Sequence, residues 1–402
     1  MTTSPAASPI EGGAAASLPP AGAPIPAERR SELRLAGYFL FLLAWLFAIA
    51  LVGASVRLTG SGMSIPDWPI IYYGPGGTKG SILPPFSESA WATVHRTYHE
   101  QYLWPRAAMP EGSLRPMGQF KREFLTEYAH RALVKVFGLL YLGGVAFALW
   151  KPGLRRKVAP LLVGAGLVLV SQIVLGGAVV RKHTPQLLVA FHLSTAAVFI
   201  SMVVYATLKL LRRPEDALPP AVPRLAVVVW VALGFALVQF LTGGVMAKTQ
   251  AARVQQLATW PLMGERLVPP ADVLWDDLVS PPIANLVENV WLIQFVHRWW
   301  AFALVGAVLW MAFRLVGKPL SPSGRWALRG SVFVLALQVL LGILTLLHMV
   351  PISLGLAHLG TGLVLFLLLV VLLYEVRTSS AIHQLEHEAL AAAEHRLEAK
   401  PA

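Results

Sequence analysis

The stretch LAGYFLFLLAWLFAIALVGASV, residues 35–56, decides the fold. Its 22 residues carry no charge. At about 1.5 Å per residue, a helix of that length crosses a hydrocarbon core of about 30 Å. Seven further apolar blocks follow, at about 132–150, 160–180, 187–208, 225–247, 290–313, 330–347 and 353–374. The chain therefore reads as an all-α membrane protein with eight transmembrane helices. Composition agrees: 56% of the 402 residues are hydrophobic and 13% are charged, against about 25% charged in a soluble domain.

Charge sets the orientation. Arg29, Arg30 and Arg34 precede the first helix, and Lys151, Arg155, Arg156 and Lys157 follow the second. Lys209, Arg212, Arg213 and Arg224 separate the fourth and fifth, Arg314, Lys318 and Arg325 the sixth and seventh, and Arg377 follows the eighth. All fall on one side of an eight-span topology, which the positive-inside rule makes cytoplasmic, with both termini inside. The formal net charge of +12 then needs no nucleic acid to explain it. The long outer loops are about 58–125 and 248–289. Residues 1–34, rich in Ala, Pro, Gly and Ser, read as a disordered cytoplasmic tail. Glu11, Glu28 and Glu32 and the late arginines argue against a transit peptide, and no cleavable signal is evident. Residues 377–402 read as a second cytoplasmic tail with a short surface helix. There His383 and His387 flank Glu386 at helical spacing, a pattern that suits a solvated face better than a metal.

The two halves repeat. Gln172, Gly176, Pro185, His192 and Thr195 recur 166 positions later as Gln338, Gly342, Pro351, His358 and Thr361. His130-Arg131 pairs with His297-Arg298, and Trp68-Pro69 with Trp260-Pro261. The expectation is two pseudo-symmetric four-helix bundles, 35–215 and 216–376. An even helix count gives them the same orientation, about an axis along the membrane normal.

Ionisable residues inside membrane helices are functional by default. Four histidines occupy equivalent places: His130 and His297 near the starts of the second and sixth helices, His192 and His358 a few residues into the fourth and eighth. All lie toward the outer side, the last two about 8 Å deep at the helical rise. With no cysteine in the chain, covalent haem attachment, iron–sulfur clusters, disulfides and thiol chemistry are excluded. Paired imidazoles suit a bis-histidine haem of b type. A copper or zinc site is the weaker rival, because few carboxylates lie nearby, and four structural histidines are the plainest alternative. Arg57, Arg131 and Arg298 could pair with haem propionates or simply snorkel to the headgroups. Gly176, Gly177 and Gly342 mark either close helix packing or room for a cofactor. The halves differ at one place. Glu127 stands three residues before His130, where Gln294 precedes His297. Positions three apart share a helix face, so Glu127 should lie beside the first site, able to relay protons or stabilise positive charge, unless it only favours a helix N-terminus. In the first outer loop, Gly60 and Gly62 permit tight turns, and Asp67 and Trp68 could cap a pocket. The loop aromatics Trp91, Tyr98, Tyr102 and Trp104 have no assigned role.

The segments VRLTGSGMSIPDWP (56–69), EYAHR (127–131), FHLSTA (191–196), FVHRWWA (295–301) and AHLGTG (357–362) resemble the haem A synthase family of bacterial and mitochondrial inner membranes. The resemblance covers about 35–376 and is closest to the cysteine-free branch. It implies oxidation of a haem O ring methyl to a formyl group, giving haem A for terminal oxidase assembly. It further implies haem b as cofactor on His297 and His358 with Arg298 nearby. The substrate haem would be held by His130 and His192 with Arg57 and Arg131, and Glu127 would be the catalytic residue. Haem O synthase, terminal oxidase subunits and membrane lipid are the partners to expect, a homo-oligomer is compatible, and the cell inner (plasma) membrane is the expected location. The rival functions are a membrane cytochrome b that only transfers electrons, a haem-binding assembly factor, and a transporter, against which the unbroken helices argue.

Overall fold

The computed structural model describes residues 25–73, 79–100, 115–182, 185–212 and 224–379, together with Gln384 and Glu388. Eight helices among them are long and apolar enough to cross a membrane. They are α1 (Ala27–Leu58), α2 (Met117–Trp150), α3 (Ala159–Arg181), α4 (Gln186–Leu211), α5 (Arg224–Thr249), α6 (Val290–Leu315), α7 (Pro322–Leu347) and α8 (Ile352–Thr378). The protein is a multi-pass helical membrane protein. The one strand pair among the described residues is a short antiparallel ribbon in the first long loop, Ile71–Tyr73 with Lys79–Ser81. The same loop carries an eleven-residue helix, Glu88–Tyr98, capped by Ser87, whose hydroxyl accepts from the Ala90 amide.

Several helices run past the apolar blocks. The first begins at Ala27, so 27–34 is helix rather than tail; residues 1–24 lie outside the described residues, as do His383, His387, Tyr102, Trp104 and Arg213. The second begins at Met117, fifteen residues before the apolar block, and His130 sits well inside it rather than near its start. Apolarity marks where a helix meets lipid, not where it begins. The 117–131 extension carries Lys121, Arg122, Glu123 and Glu127, and it buries Phe120 and Phe124 against Trp91 and Tyr98.

Helix neighbours recur between the halves. The first helix packs on α2 and α4, and α5 packs on α6 and α8; α3 pairs with α4 as α7 pairs with α8. The halves meet where α4 crosses α5 and α1 touches α8. At the first crossing, a Cβ on Gly244 would stand 2.7 Å from the Ala190 Cα, so only glycine permits that approach. This small-residue packing is what joins helices in lipid, where apolar surfaces gain little by meeting. The interior is filled by Phe39, Phe137, Tyr141 and Phe199. Leu139, Phe313 and Phe333 point outward, each more than two-thirds exposed, as lipid-facing side chains should.

Arginines close the helix ends, whose last carbonyls lack intrahelical partners. At the end holding the termini, Arg29 donates to the carbonyls of Leu210, Leu211 and Arg212, at 2.7–2.8 Å. The buried Glu32 joins Arg29, at 2.7 Å, to Lys157, at 2.6 Å. At the loop end, Arg57 donates to the carbonyls of Ala247 and Lys248, at 2.6 and 2.8 Å, and Arg253 returns a bond to Leu58, at 3.3 Å.

Candidate functional site

Each of the four histidines faces a glycine on a neighbouring helix. A Cβ on Gly53 would stand 2.8 Å from Cε1 of His130, and one on Gly176 3.6 Å from Cε1 of His192. The corresponding distances are 3.1 Å for Gly243 and His297, and 3.0 Å for Gly342 and His358. Gly53, on α1, and Gly243, on α5, thus do for the α2 and α6 histidines what Gly176 and Gly342 do for those on α4 and α8. At Gly53, Gly243 and Gly342 the methyl group of alanine would crowd the imidazole, whereas at Gly176 it would make only ordinary contact. All four rings stay partly exposed within the bundle. His130 interacts electrostatically with His192, and His297 with His358.

Polar side chains orient three of the rings. Thr242 Oγ1 lies 3.0 Å from His297 Nδ1, and the Gln239 amide lies within 3.3 Å of both ring nitrogens. The Gln338 amide nitrogen is 3.4 Å from His358 Nε2, and its oxygen accepts from Thr361. In the first half, Gln172 bonds Thr195; with its amide turned to satisfy its neighbours, its nitrogen donates to His192 Nδ1 at 3.1 Å. The Gln–Thr–His triplet is therefore repeated intact. Nδ1 of both His130 and His358 is buried without a partner.

This donor set fits haem. Two neutral nitrogen donors per half, facing glycine surfaces, are what a bis-imidazole iron porphyrin requires. Among the described residues no group of three or more His, Cys, Asp or Glu side chains gathers to hold a bare metal ion, so the zinc or copper alternative lacks a ligand shell.

The arginines beside the histidines do something other than what their position suggests. Arg131 donates to the carbonyls of Ile65 and of Asp67, the latter at 2.6 Å, pairs with Glu127 at 2.5 Å, and lies over the Trp68 ring. Arg298 donates to the carbonyls of Leu257, Thr259 and Leu262 and to the Gln294 side chain. Counted back from Trp68-Pro69 and Trp260-Pro261, Ile65 matches Leu257 and Asp67 matches Thr259. Both arginines thus hold a loop against its bundle, with their Nη donors turned to loop carbonyls. Arg57 is committed to the α5 end through Nη2, while the Nε of Arg57 and of Arg298 is buried without a partner. Trp68 packs against Gly177, where a Cβ would come within 2.8 Å of its indole nitrogen. Gly60 turns the loop at φ +74°.

Glu127 is buried. One oxygen pairs with Arg131; the other accepts from the Ser64 hydroxyl and the Ile65 amide, both at 2.9 Å. It faces the loop and makes no hydrogen bond to His130. In its place in the second half, Gln294 donates to the Ala251 carbonyl at 3.1 Å and accepts from Arg298. The sequence did not single out Ser64, Gln239, Thr242, Gly53 or Gly243; only Gln172, Thr195 and their repeats carried a signal, through the 166-residue period.

A family model for cytochrome oxidase assembly proteins of the COX15–CtaA type matches residues 36–370. The chain belongs to this family. Among its relatives is a Heme A synthase of Bradyrhizobium sp. (strain ORS 278), 34% identical, with 81% of this chain aligned to 87% of the relative. A Heme A synthase of Rhodopseudomonas palustris (strain BisB5) is also 34% identical, over 88% of this chain and 93% of its own length. A third, from Nitrosomonas eutropha, is 29% identical over 84% and 92%. In this family member the aligned region takes in all four histidines, Glu127 and both loop-holding arginines.

Proposed function

We propose that this chain is a haem A synthase: an oxidoreductase that takes haem O and oxidises one ring methyl to a formyl group, for use in cytochrome oxidase assembly. The family and the relatives' names support the reaction. The observation that carries it to this chain is the pair of equivalent two-histidine halves, of which one alone buries a carboxylate one turn before its α2 histidine.

His130 and His192 hold the substrate haem, and His297 and His358 hold a haem b. When bound, that haem supplies one-electron chemistry to the protein. Gly53 lets the His130 imidazole sit close to α1. Arg131 and Arg298 draw the loops down over the two sites and exclude water. Glu127 handles protons: held by Arg131 and Ser64, it takes up what the methyl carbon loses as it is oxidised. The Nε of Arg57 and of Arg298 is the donor left to meet propionates. By the positive-inside rule, the termini are cytoplasmic and the sites lie toward the outer face of the inner membrane.

Expression in a host that makes haem O but not haem A tests this. Haem A in the extract, lost on Glu127→Gln or His130→Ala, supports the reading. Unchanged haem O alongside bound haem b would reduce the protein to an electron-transfer cytochrome.

A further inference from the structure

On the far side of the Ser64–Glu127 hydrogen bond lies a cavity of about 10 Å³, room for one water. Ser64 and Asp67 line it together with Thr97 and Tyr98 of the loop helix and the apolar Ile65 and Val94, and it is partly open. Such a water would have several polar groups within reach, as a buried water needs.

The hydroxyl of Ser64 is placed to pass a proton. It has one hydrogen and two acceptors: Glu127 Oε2 at 2.9 Å and the Ser61 carbonyl at 2.8 Å. Turning between them leaves its lone pairs free to accept from the cavity. Across the pocket stands Tyr98, with the Arg115 guanidinium 5.8 Å from its ring centroid. Arg115 pairs with Glu123, and its side chain is 29% exposed at the loop face. The charged and titratable groups around the passage are thus Arg131 and Asp67 on the inner side, and Arg115, Glu123, His95 and His99 on the outer.

The second half lacks the matching residues. Gln294 cannot take up a proton, and by the Trp-Pro register Gln256 stands where Ser64 does. Nor is there a counterpart to the Glu88–Tyr98 helix in the loop between α5 and α6, whose described helices span three or four residues each. The Ser64 hydroxyl and the loop helix that carries Tyr98 accompany the carboxylate, and neither has a counterpart among the described residues of the second half.

We propose that Ser64, one water in this cavity and Tyr98 form the proton-exchange route between Glu127 and the aqueous loop face. In each transfer an O–H bond forms at Glu127 as the Ser64 O–H bond breaks, the Ser64 O–H is restored by a proton from the pocket water, which Tyr98 orients, and that water regains its proton from solvent at the loop face; release runs the same steps backward and delivers the proton to solvent. The route moves protons only, and the electrons leave by whatever oxidant the reaction uses. It rests on the reading of Glu127 as the group that handles protons.

Two measurements test it, one independent of turnover. In the first, an acid jump on the purified protein is followed at the carboxyl infrared band that Glu127→Gln abolishes. Protonation should slow about tenfold or more in Ser64→Ala and in Tyr98→Phe, and recover in Ser64→Thr. Unchanged rates in both variants, or a Glu127 that takes up no proton at all, overturn the route. In the second, haem A formation by Ser64→Ala in the haem O host should fall about tenfold with KM for haem O retained, with a larger solvent deuterium effect and Ser64→Thr near the parent. Turnover and isotope effect both unchanged also overturn it. If the parent makes no haem A, the functional reading fails, and the acid jump alone decides the route.

Discussion

Replacing Arg131 with methionine separates the charge of the loop clamp from its hydrogen bonds. The Arg131 side chain is 8% exposed and that of Glu127 5%, at 2.5 Å, so losing the arginine strands a buried carboxylate, which costs about 3–5 kcal/mol. The equivalent Arg298→Met leaves only the neutral Gln294 behind. The lost bond there is charged-to-neutral, about 1.5–3 kcal/mol. Arg298 releases three loop carbonyls to Arg131's two, while Arg131 alone also gives up its contact with the Trp68 ring, so these contributions roughly offset. Arg131→Met should therefore be about 2 kcal/mol more damaging than Arg298→Met, and should fall to the Arg298→Met cost once Glu127→Gln is present. That difference is about 30-fold in the folding equilibrium. Reversible SDS unfolding of the detergent-solubilised protein reads it, with tryptophan fluorescence as the probe, since Trp68 lies 5.5 Å beneath the guanidinium. If Arg131→Met costs the same with and without the Glu127→Gln change, the pair does not behave as a buried ion pair and the reasoning fails.

Other outcomes follow from the same contacts. Gly342→Ala, whose methyl would sit 3.0 Å from His358, should displace the imidazole and reduce the reduced-minus-oxidised haem b spectrum, whereas Gly37→Ala, with nothing within 4 Å, should leave it intact. Gln338→Leu removes the partner of His358 and Thr361 and should weaken haem retention about 10–100-fold, measured by haem transfer to apomyoglobin. Arg57→Ala frees the carbonyls of Ala247 and Lys248 and should cost about 1–3 kcal/mol in SDS unfolding. Burial, then His95 and Arg115, hold the His99 pKa below its usual 6.5. The loop helix should be fully stable above about pH 6.5 and lose stability as the pH falls below it, because the unfolded imidazole protonates first; amide protection across 88–98, taken relative to the intrinsic exchange rate at each pH, should fall between about pH 7.5 and 5, and the fall should vanish in His99→Gln.

Much of this was legible in the chain. The uncharged run at 35–56 and its seven successors marked the eight spans, and the 166-residue period set Gln172 and Thr195 against Gln338 and Thr361, although not that each glutamine bonds its threonine. What escaped was set by chain direction rather than residue type. The first fifteen residues of α2 carry charge, so an apolar count stops short of them although the helix does not. An arginine beside a histidine reads as a propionate partner until the loop path brings the carbonyls of residues 65–67 and 257–262 under the guanidinium. Glycine at 53 and 243 has no periodic signature; its use appears only once the α2 and α6 imidazoles lie against it.

The duplicated clamp also bears on why Glu127 is a carboxylate. The second half shows that an arginine can hold its loop with a neutral amide as partner, in matching register and with matching carbonyls. Folding therefore has no need of the charge. Burying a carboxylate costs several kcal/mol before its partners repay any of it, and replacing such ion pairs with neutral groups is often neutral or stabilising. A charge that structure does not need, kept where desolvation penalises it, is best explained by chemistry. The neutral amide at Gln294 can hold a loop but cannot take up a proton, and the second half has neither a serine at the Ser64 position nor a helix matching the cavity wall. Ser64 and the loop helix that carries Tyr98 accompany the carboxylate in one copy of the repeat, and the arginine clamp occurs in both. These energetics support the proposal that proton chemistry belongs to the first half, on grounds that do not depend on the names of any relatives.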